Sequence, residues 1–232
     1  MISLQSPRND DELIALIKNE LFTAVIGDIM DKLGLLNQFL SPQVQPLRKD
    51  MIVVGRAMPV LEADVLESAD RGNNPVLQKP FGLMLEALDD LKKDEVYICS
   101  GSSPSYALWG ELMSMRALKL GAAGAVVNGY SRDTNGILEL NFPTFSYGSY
   151  AKDQAPRGKV IDFRTSIEMN GVVIRNGDYV IGDRDGVCIV PYDASEEIFR
   201  LAFEKARGEK IVFQKIKEGM SAKAAFETYG IM

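Results

Sequence analysis

Residues 94–133, DEVYICSGSSPSYALWGELMSMRALKLGAAGAVVNGYSRD, hold the pattern that decides the fold. The segment DEVYICS is an apolar run typical of a short buried strand, whereas ELMSMRALKL has helical spacing and ends at Gly121. A second apolar run, AAGAVVNG, predicts another buried strand. A strand, a helix and a strand in this order predict a right-handed βαβ unit with parallel strands.

Two loops follow these strands, GSSPSYALWG over residues 101–110 and YSRDTNG over residues 130–136. Both leave the carboxyl ends of parallel strands, where ligand sites in open α/β sheets gather. We therefore expect the two loops to lie side by side and to form the functional site.

The N-terminal part of the chain predicts further elements around this unit. Residues 23–34 have the apolar spacing of a helix, and MIVVGRAMPVLEA over residues 51–63 predicts a strand. A connection is expected over residues 67–75, and Pro80 is expected to begin a helix.

The C-terminal part predicts a β-rich segment followed by helices. The runs FPTFSYG, KVIDF, GVVIRNGDYVIGD and DGVCIVP predict short strands, and helices are expected after Asp193, near Glu209 and after Ser221. The fold class is therefore α/β, with a mixed sheet at its core and helices outside. We expect an α/β domain over residues 1–192 and a helical extension over residues 193–232.

The amino-acid composition excludes several kinds of catalytic and binding site. The 232 residues carry 26 Lys and Arg against 32 Asp and Glu, a net charge of −6, which argues against nucleic acid as a partner. The chain contains no histidine, which excludes Ser-His-Asp and Cys-His catalysis and zinc sites with imidazole ligands.

Cys99 and Cys188 lie in apolar runs and are interpreted as buried strand residues. Without a signal peptide pattern or a membrane-spanning run, the chain is expected in the cytoplasm.

The GELM stretch predicts an anion site. Gly110, Glu111, Leu112 and Met113 should form the first turn of a helix, whose free N–H groups and positive dipole end suit a small carboxylate. Most helix starts bind only water, so this signal is weak alone.

Arg132 and Asp133 supply the second half of the predicted site. The guanidinium suits a carboxylate or an enolate, and the aspartate suits Mg²⁺ or Mn²⁺, although an Arg-Asp pair in a turn is also common on surfaces. Together with Glu111, these groups could bind a 2-oxo acid and stabilise charge on its keto oxygen.

The GELM stretch, the spacing from Glu111 to Arg132 and Asp133, and the later NFPTFSYG and GDRDGVCIVP resemble the RraA-like family. This family includes class II pyruvate aldolases acting on 4-hydroxy-4-methyl-2-oxoglutarate and 4-carboxy-4-hydroxy-2-oxoadipate, together with regulators of ribonuclease activity. The resemblance implies a swivelling β/β/α fold in homotrimers or homohexamers, with sites between subunits.

The resemblance also implies roles for individual residues. The backbone from Gly110 to Met113 would bind the pyruvate carboxylate, Glu111 would orient a water, Arg132 would hold substrate, and Asp133 would bind the metal. One departure is Gly136, where the aldolases usually carry an acid.

The resemblance also makes three other acids candidates for the site. Glu139 is a candidate to compensate for Gly136. A neighbouring subunit is expected to lend an acid, for which Glu204 and Glu209 are candidates.

Five other residues have side chains that could act in catalysis or binding. For four of them we favour a structural role. We interpret Asp28 as a solvated or capping acid, Lys119 as a helix C-terminal cation, and Asp183 with Asp185 as turn residues. Trp109 could either shield the pocket or anchor the core.

These observations lead to two hypotheses. The first is a divalent-metal lyase that cleaves a 4-hydroxy-2-oxo acid to pyruvate through a metal-stabilised enolate, with oxaloacetate decarboxylation as a side activity. The second is a non-catalytic, ring-shaped regulator resembling the ribonuclease regulators.

Overall fold

The computed structural model describes residues 9–65 and 74–231, and all structural statements concern these ranges. The helices are α1 (Asp10–Glu20), α2 (Thr23–Lys32), α3 (Pro75–Gln78), α4 (Met84–Asp89), α5 (Glu111–Leu120), α6 (Thr134–Glu139), α7 (Ser195–Lys217) and α8 (Ala222–Tyr229). The strands are β1 (Gln45–Pro46), β2 (Val53–Asp64), β3 (Glu95–Ser100), β4 (Ala107–Trp109), β5 (Gly124–Val127), β6 (Tyr130–Ser131), β7 (Thr144–Ser146), β8 (Gly158–Phe163), β9 (Ile167–Met169), β10 (Val172–Ile174), β11 (Tyr179–Asp183) and β12 (Gly186–Val190).

An eight-stranded mixed sheet forms the centre of the molecule, as predicted. Its order is β1-β7-β5-β3-β2-β11-β12, and β8 also pairs with β2. Strands β2, β3, β5 and β7 are parallel neighbours, whereas β1, β8, β11 and β12 pair antiparallel. The predicted β3-α5-β5 unit is present, with β3 and β5 parallel and in register from Val96 and Gly124 to Cys99 and Val127.

Successive residues of β3 alternate between two cores, as expected for a strand buried on both faces. Tyr97 and Cys99 pack with α4, α5 and α6, and Val96 and Ile98 pack with β9, β10 and β12. Cys188 is likewise buried in β12. Their burial in strands confirms the interpretation of both cysteines, and it raises the pKa of both thiols.

A third core lies beneath α1, α2 and α7. It contains Ile17 of α1, Ile26 of α2 and Phe199 of α7, together with residues of β11 and β12.

The prediction of a separate helix near Glu209 is wrong, because α7 runs without a break from Ser195 to Lys217. The division of the chain at residue 192 stays a prediction. No described helix is long and apolar enough to span a membrane.

Two further predictions need correction, and a third lies mostly outside the described residues. The helix expected at Pro80 begins at Met84, because Gly82 adopts a φ of +64° and forms a bridge with Val160. The two predicted loops are also partly regular, since they contain β4, β6 and the start of α6. The connection expected over residues 67–75 falls mostly outside the described residues, and Pro75 begins α3.

Candidate functional site

A short parallel pairing joins the two loops of the predicted site. Strand β4 pairs with β6, with Ala107 opposite Tyr130 and Trp109 opposite Ser131. Beyond the strands, the Arg132 N–H donates to the Trp109 carbonyl at 2.9 Å. The prediction that the two loops lie side by side is therefore confirmed.

This pairing brings the N-terminus of α5 next to Arg132. Gly110 is the N-cap in an extended conformation, and no side chain caps the helix. Within the described residues, the N–H groups of Glu111, Leu112 and Met113 donate to no other group. A helix end with three free donors and a positive dipole can bind an anion.

Trp109 holds the first turn of α5 in place through hydrogen bonds. Its indole N–H donates to the Ser114 hydroxyl at 2.7 Å, which in turn donates to the Gly110 carbonyl at 3.0 Å. The ring is 1% exposed and packs 4.9 Å from Tyr97 and 6.0 Å from Phe142, between ring centroids. Trp109 is therefore a core anchor, which settles the alternative left open by the sequence.

Asp133 directs its carboxylate toward Gly110. Its φ of +54° lies in the left-handed region, and its side chain does not cap α6, which begins at the next residue. The carboxylate oxygen Oδ2 lies 3.1 Å from the position of a β-carbon built on Gly110. Unusual backbone conformations of this kind cluster at functional sites, and aspartate tolerates this one better than most residues do.

A third segment, residues 147–157, completes the site and was not predicted. The Asp153 carboxylate forms an ion pair with Nη1 of Arg132 at 3.1 Å, and Nε of Arg132 lies 3.8 Å from Asp133 Oδ2. Backbone pairing holds the segment in place, because the Tyr150 N–H donates to the Ser131 carbonyl at 2.8 Å. No sequence signal links Asp153 to Arg132, since their contact depends on the path of a long loop.

An open pocket of about 350 Å³ lies between residues 132–134 and residues 149–151. Arg132 and Asp133 lie on one wall and the unpredicted segment forms the other. The lining residues are Arg132, Asp133, Thr134, Ser149, Tyr150 and Ala151.

Glu111 lies beside the pocket, against α6. Its carboxyl group occupies the space next to Gly136, within 2.4 Å of the position of a β-carbon built there. Glu139 is exposed, and no described contact joins it to Arg132 or Asp133.

Glu204 and Glu209 lie on α7 and pair with Arg200 and Lys205 of the same helix. Their expected role in a neighbouring subunit stays a prediction.

The acidic side chains limit the kind of metal ion the site could hold. No group of three or more acidic or cysteine side chains in the described ranges is arranged to enclose a metal ion. A hydrated Mg²⁺ or Mn²⁺ needs only one or two carboxylates, because water and substrate supply the other ligands. Asp133 can serve as such a ligand, since its carboxylate is neither capping a helix nor buried.

The other side chains weighed in the sequence have structural roles. Asp28 on α2 pairs with Lys205 on α7, and both carboxylate oxygens of Asp183 accept from Thr23, at 2.8 and 2.7 Å, at the start of α2. Asp185 donates its N–H to Asp183 within the same turn. Lys119 is exposed in the last turn of α5.

A buried acid, Glu62, contacts the third segment through Gln154. Glu62 is 1% exposed at an irregularity in the pairing of β2 with β8, and one carboxylate oxygen accepts from the Gln154 amide at 2.6 Å. Its other oxygen has no hydrogen-bond partner in the part of the chain that the structure describes. Burial, aided by the charge of Asp64, raises the pKa of Glu62 to about 8.

Comparison with known proteins identifies the family. The sequence profile described as Aldolase/RraA, of the RraA-like proteins, matches residues 23–189. The chain belongs to the RraA-like family. One relative of this RraA-like chain is named "Putative 4-hydroxy-4-methyl-2-oxoglutarate aldolase", from Halalkalibacterium halodurans. It is 30% identical over 204 residues, which cover 88% of this chain and 89% of the relative.

Two other similar proteins show how widely the RraA-like scaffold is used. Protein DlpA of Legionella pneumophila is 26% identical over 89% of this chain, which spans only 32% of that longer protein. The crystal structure of Streptomyces coelicolor RraAS2, described as an unusual member of the RNase ES inhibitor RraA family, has a TM-score of 0.74 at 23% identity. The alignment covers 88% of this chain and 96% of RraAS2. This likeness confirms the predicted swivelling β/β/α fold.

Replacing Ser114 by alanine should destabilise the start of α5. The change leaves the buried Trp109 N–H without its acceptor, so we expect the free energy of unfolding to fall by about 1–3 kcal/mol. Urea unfolding measures this loss. Lys119→Ala, at an exposed position of the same helix, serves as the control, and equal stability of the two variants would contradict the role of this bond.

Glu62 predicts a pH-dependent stability. From its ordinary value near 4.5 up to about 8, the folded protein keeps a proton on Glu62 that the unfolded chain releases, so stability falls as pH rises through this window. Each unit of pKa difference corresponds to about 1.4 kcal/mol. Glu62→Gln stays neutral and keeps an oxygen for Gln154, so its stability should exceed that of the wild type increasingly as pH rises. Melting curves from pH 5 to 9 test this, with the exposed Glu197→Gln as control, and parallel wild-type and Glu62→Gln curves would contradict it.

Proposed function

We propose that this protein is a divalent-metal-dependent lyase that cleaves a 4-hydroxy-2-oxo acid, of the 4-hydroxy-4-methyl-2-oxoglutarate kind, to pyruvate and a second carbonyl compound. The observation that carries the proposal is the β4–β6 pairing, which sets Arg132 and Asp133 beside the free amides of α5. The name of the relative from Halalkalibacterium halodurans supports the same substrate class.

The α5 N-terminus would bind the substrate carboxylate. The N–H groups of Glu111, Leu112 and Met113 are free donors at the positive end of a ten-residue helix. Arg132, whose side chain is 39% exposed, can place a second N–H toward the 2-oxo oxygen while Nη1 remains paired with Asp153. The substrate is then held at two points, so its C3–C4 bond is kept in one orientation.

Cleavage requires removal of the C4 hydroxyl proton. We propose that Glu111 accepts this proton through a water molecule as the C4 carbonyl forms. The C3–C4 electron pair then forms the C2–C3 double bond as the π electrons of the 2-oxo group move onto its oxygen, giving the pyruvate enolate, which Arg132 stabilises through its positive charge. Protonation at C3 completes pyruvate. Loss of CO₂ from oxaloacetate gives the same enolate, so decarboxylation is an expected side activity.

Asp133 would hold the divalent cation, Mg²⁺ or Mn²⁺. When bound, such an ion supplies a positive charge that stabilises the developing negative charge on a 2-oxo acid. Asp153 keeps Arg132 turned toward the same pocket, so the cation and the guanidinium would act on one substrate.

We also propose that the site works within a homotrimer or homohexamer. Leu112, Met115 and Leu118 repeat every three residues along α5 and are 85%, 40% and 43% exposed. An apolar stripe of this kind beside the pocket is suited to burial against a second copy of the chain. The active site would then lie at a subunit interface.

Arg132→Ala and Asp133→Asn should each lower kcat/KM for pyruvate release by about 10²–10³, because each removes a charge that acts in the transition state. A coupled assay for pyruvate with oxaloacetate and several 4-hydroxy-2-oxo acids measures this. Arg175→Ala, at an exposed position of another loop, should behave like the wild type. Activity that survives both site changes would contradict the mechanism.

Removal of the metal ion gives an independent test. Protein treated with EDTA should lose pyruvate release and regain it when Mg²⁺ or Mn²⁺ is added, and Asp133→Asn should require a higher metal concentration for the same rate. Full activity of the metal-free protein would contradict metal dependence. A folded protein that releases no pyruvate from any substrate with either metal would instead favour the non-catalytic regulator.

A further inference from the structure

Glu111 and Gly136 form a close contact between two helices. A β-carbon built on Gly136 would lie 2.2 Å from Cδ, 2.4 Å from Oε2 and 2.6 Å from Cγ of Glu111. These distances are far below van der Waals contact, so the Glu111 side chain occupies the volume that any other residue at position 136 would need.

The backbone conformation at position 136 does not require a glycine. Gly136 lies inside α6, outside the left-handed region, and its carbonyl accepts a regular helical bond from the Leu140 N–H at 3.0 Å. Glycine is a poor helix former, so alanine would suit the local conformation better. A glycine at position 136 therefore lets the Glu111 side chain lie against the α6 backbone, whereas a β-carbon there would require that flexible side chain to move.

The contact places the Glu111 carboxylate near the other site residues. Gly136 and Asp133 share the first turn of α6, where the Ile137 N–H donates to the Asp133 carbonyl at 3.2 Å. Within the described ranges, Glu111 forms no ion pair and accepts no hydrogen bond, so its carboxylate is available for a ligand. Position 136 thus determines how far this free carboxylate can reach over α6.

We propose that Gly136 is a positioning residue, which admits the Glu111 carboxylate to the first turn of α6 and so sets it beside Asp133. This inference rests on the proposed function, in which Glu111 removes the substrate proton through water. The absence of an acid at position 136 then has a structural consequence, because Glu111, rather than Glu139, lies against that position.

Gly136→Ala tests the proposal. The new methyl group should displace the flexible Glu111 side chain, so kcat for pyruvate release should fall at least tenfold while KM changes less than threefold. The melting temperature should stay the same or rise, since alanine favours the helix. Asn135→Ala, at an exposed position of the same helix, should leave kcat unchanged.

A double-mutant cycle shows whether Gly136 acts through Glu111. Glu111→Ala should lower kcat, and adding Gly136→Ala to that variant should cause no further loss. An equal tenfold loss in both backgrounds would contradict the proposal.

Crystal structures of the wild type and of Gly136→Ala give a readout that does not depend on activity. The Glu111 carboxylate should lie over the 136 backbone in the first and be displaced in the second. If the wild type releases no pyruvate, the proposed function fails, and the two structures still decide the inference. An unchanged Glu111 position in Gly136→Ala would overturn it.

Discussion

The pairing of two very short strands, β4 and β6, is the constraint on which the whole site depends. A single hydrogen bond beyond them, from the Arg132 N–H to the Trp109 carbonyl at 2.9 Å, joins an anion-binding helix start to a cation and an acid. Each group alone would be an ordinary surface feature. Because Trp109 is anchored in the core and β6 is pinned by residues 147–157, the groups are held together before a ligand arrives.

The large elements could be predicted because their signals are local. Apolar periodicity identified β3, α5 and β5, and Gly121 marked the end of α5 through its left-handed conformation. The errors came from tertiary contacts. Strand β4 lies in a segment rich in glycine, serine and proline, and it forms a strand because it pairs with β6 and with Lys152 and Asp153. The helix expected near Glu209 is instead part of α7, where Glu209 pairs with Lys205 one turn earlier.

The site was predicted in part for the same reason. Gly110 to Met113 and the Arg132–Asp133 pair could be found because both directly follow strands of the βαβ unit, whose topology brings their ends together. Asp153 could not be found, since its contact with Arg132 depends on a loop that returns from β7. The closeness of Glu111 to Gly136 also escaped the sequence, because spacing along the chain does not report how two helices pack.

The most direct test of the central claim is a crystal structure of the protein soaked with pyruvate and Mg²⁺. We expect the pyruvate carboxylate to accept hydrogen bonds from the first-turn N–H groups of α5, with Arg132 on the 2-oxo oxygen and the ion on Asp133. Pyruvate bound elsewhere, with the α5 amides and Arg132 contacting only water, would show that this helix start is not the substrate site.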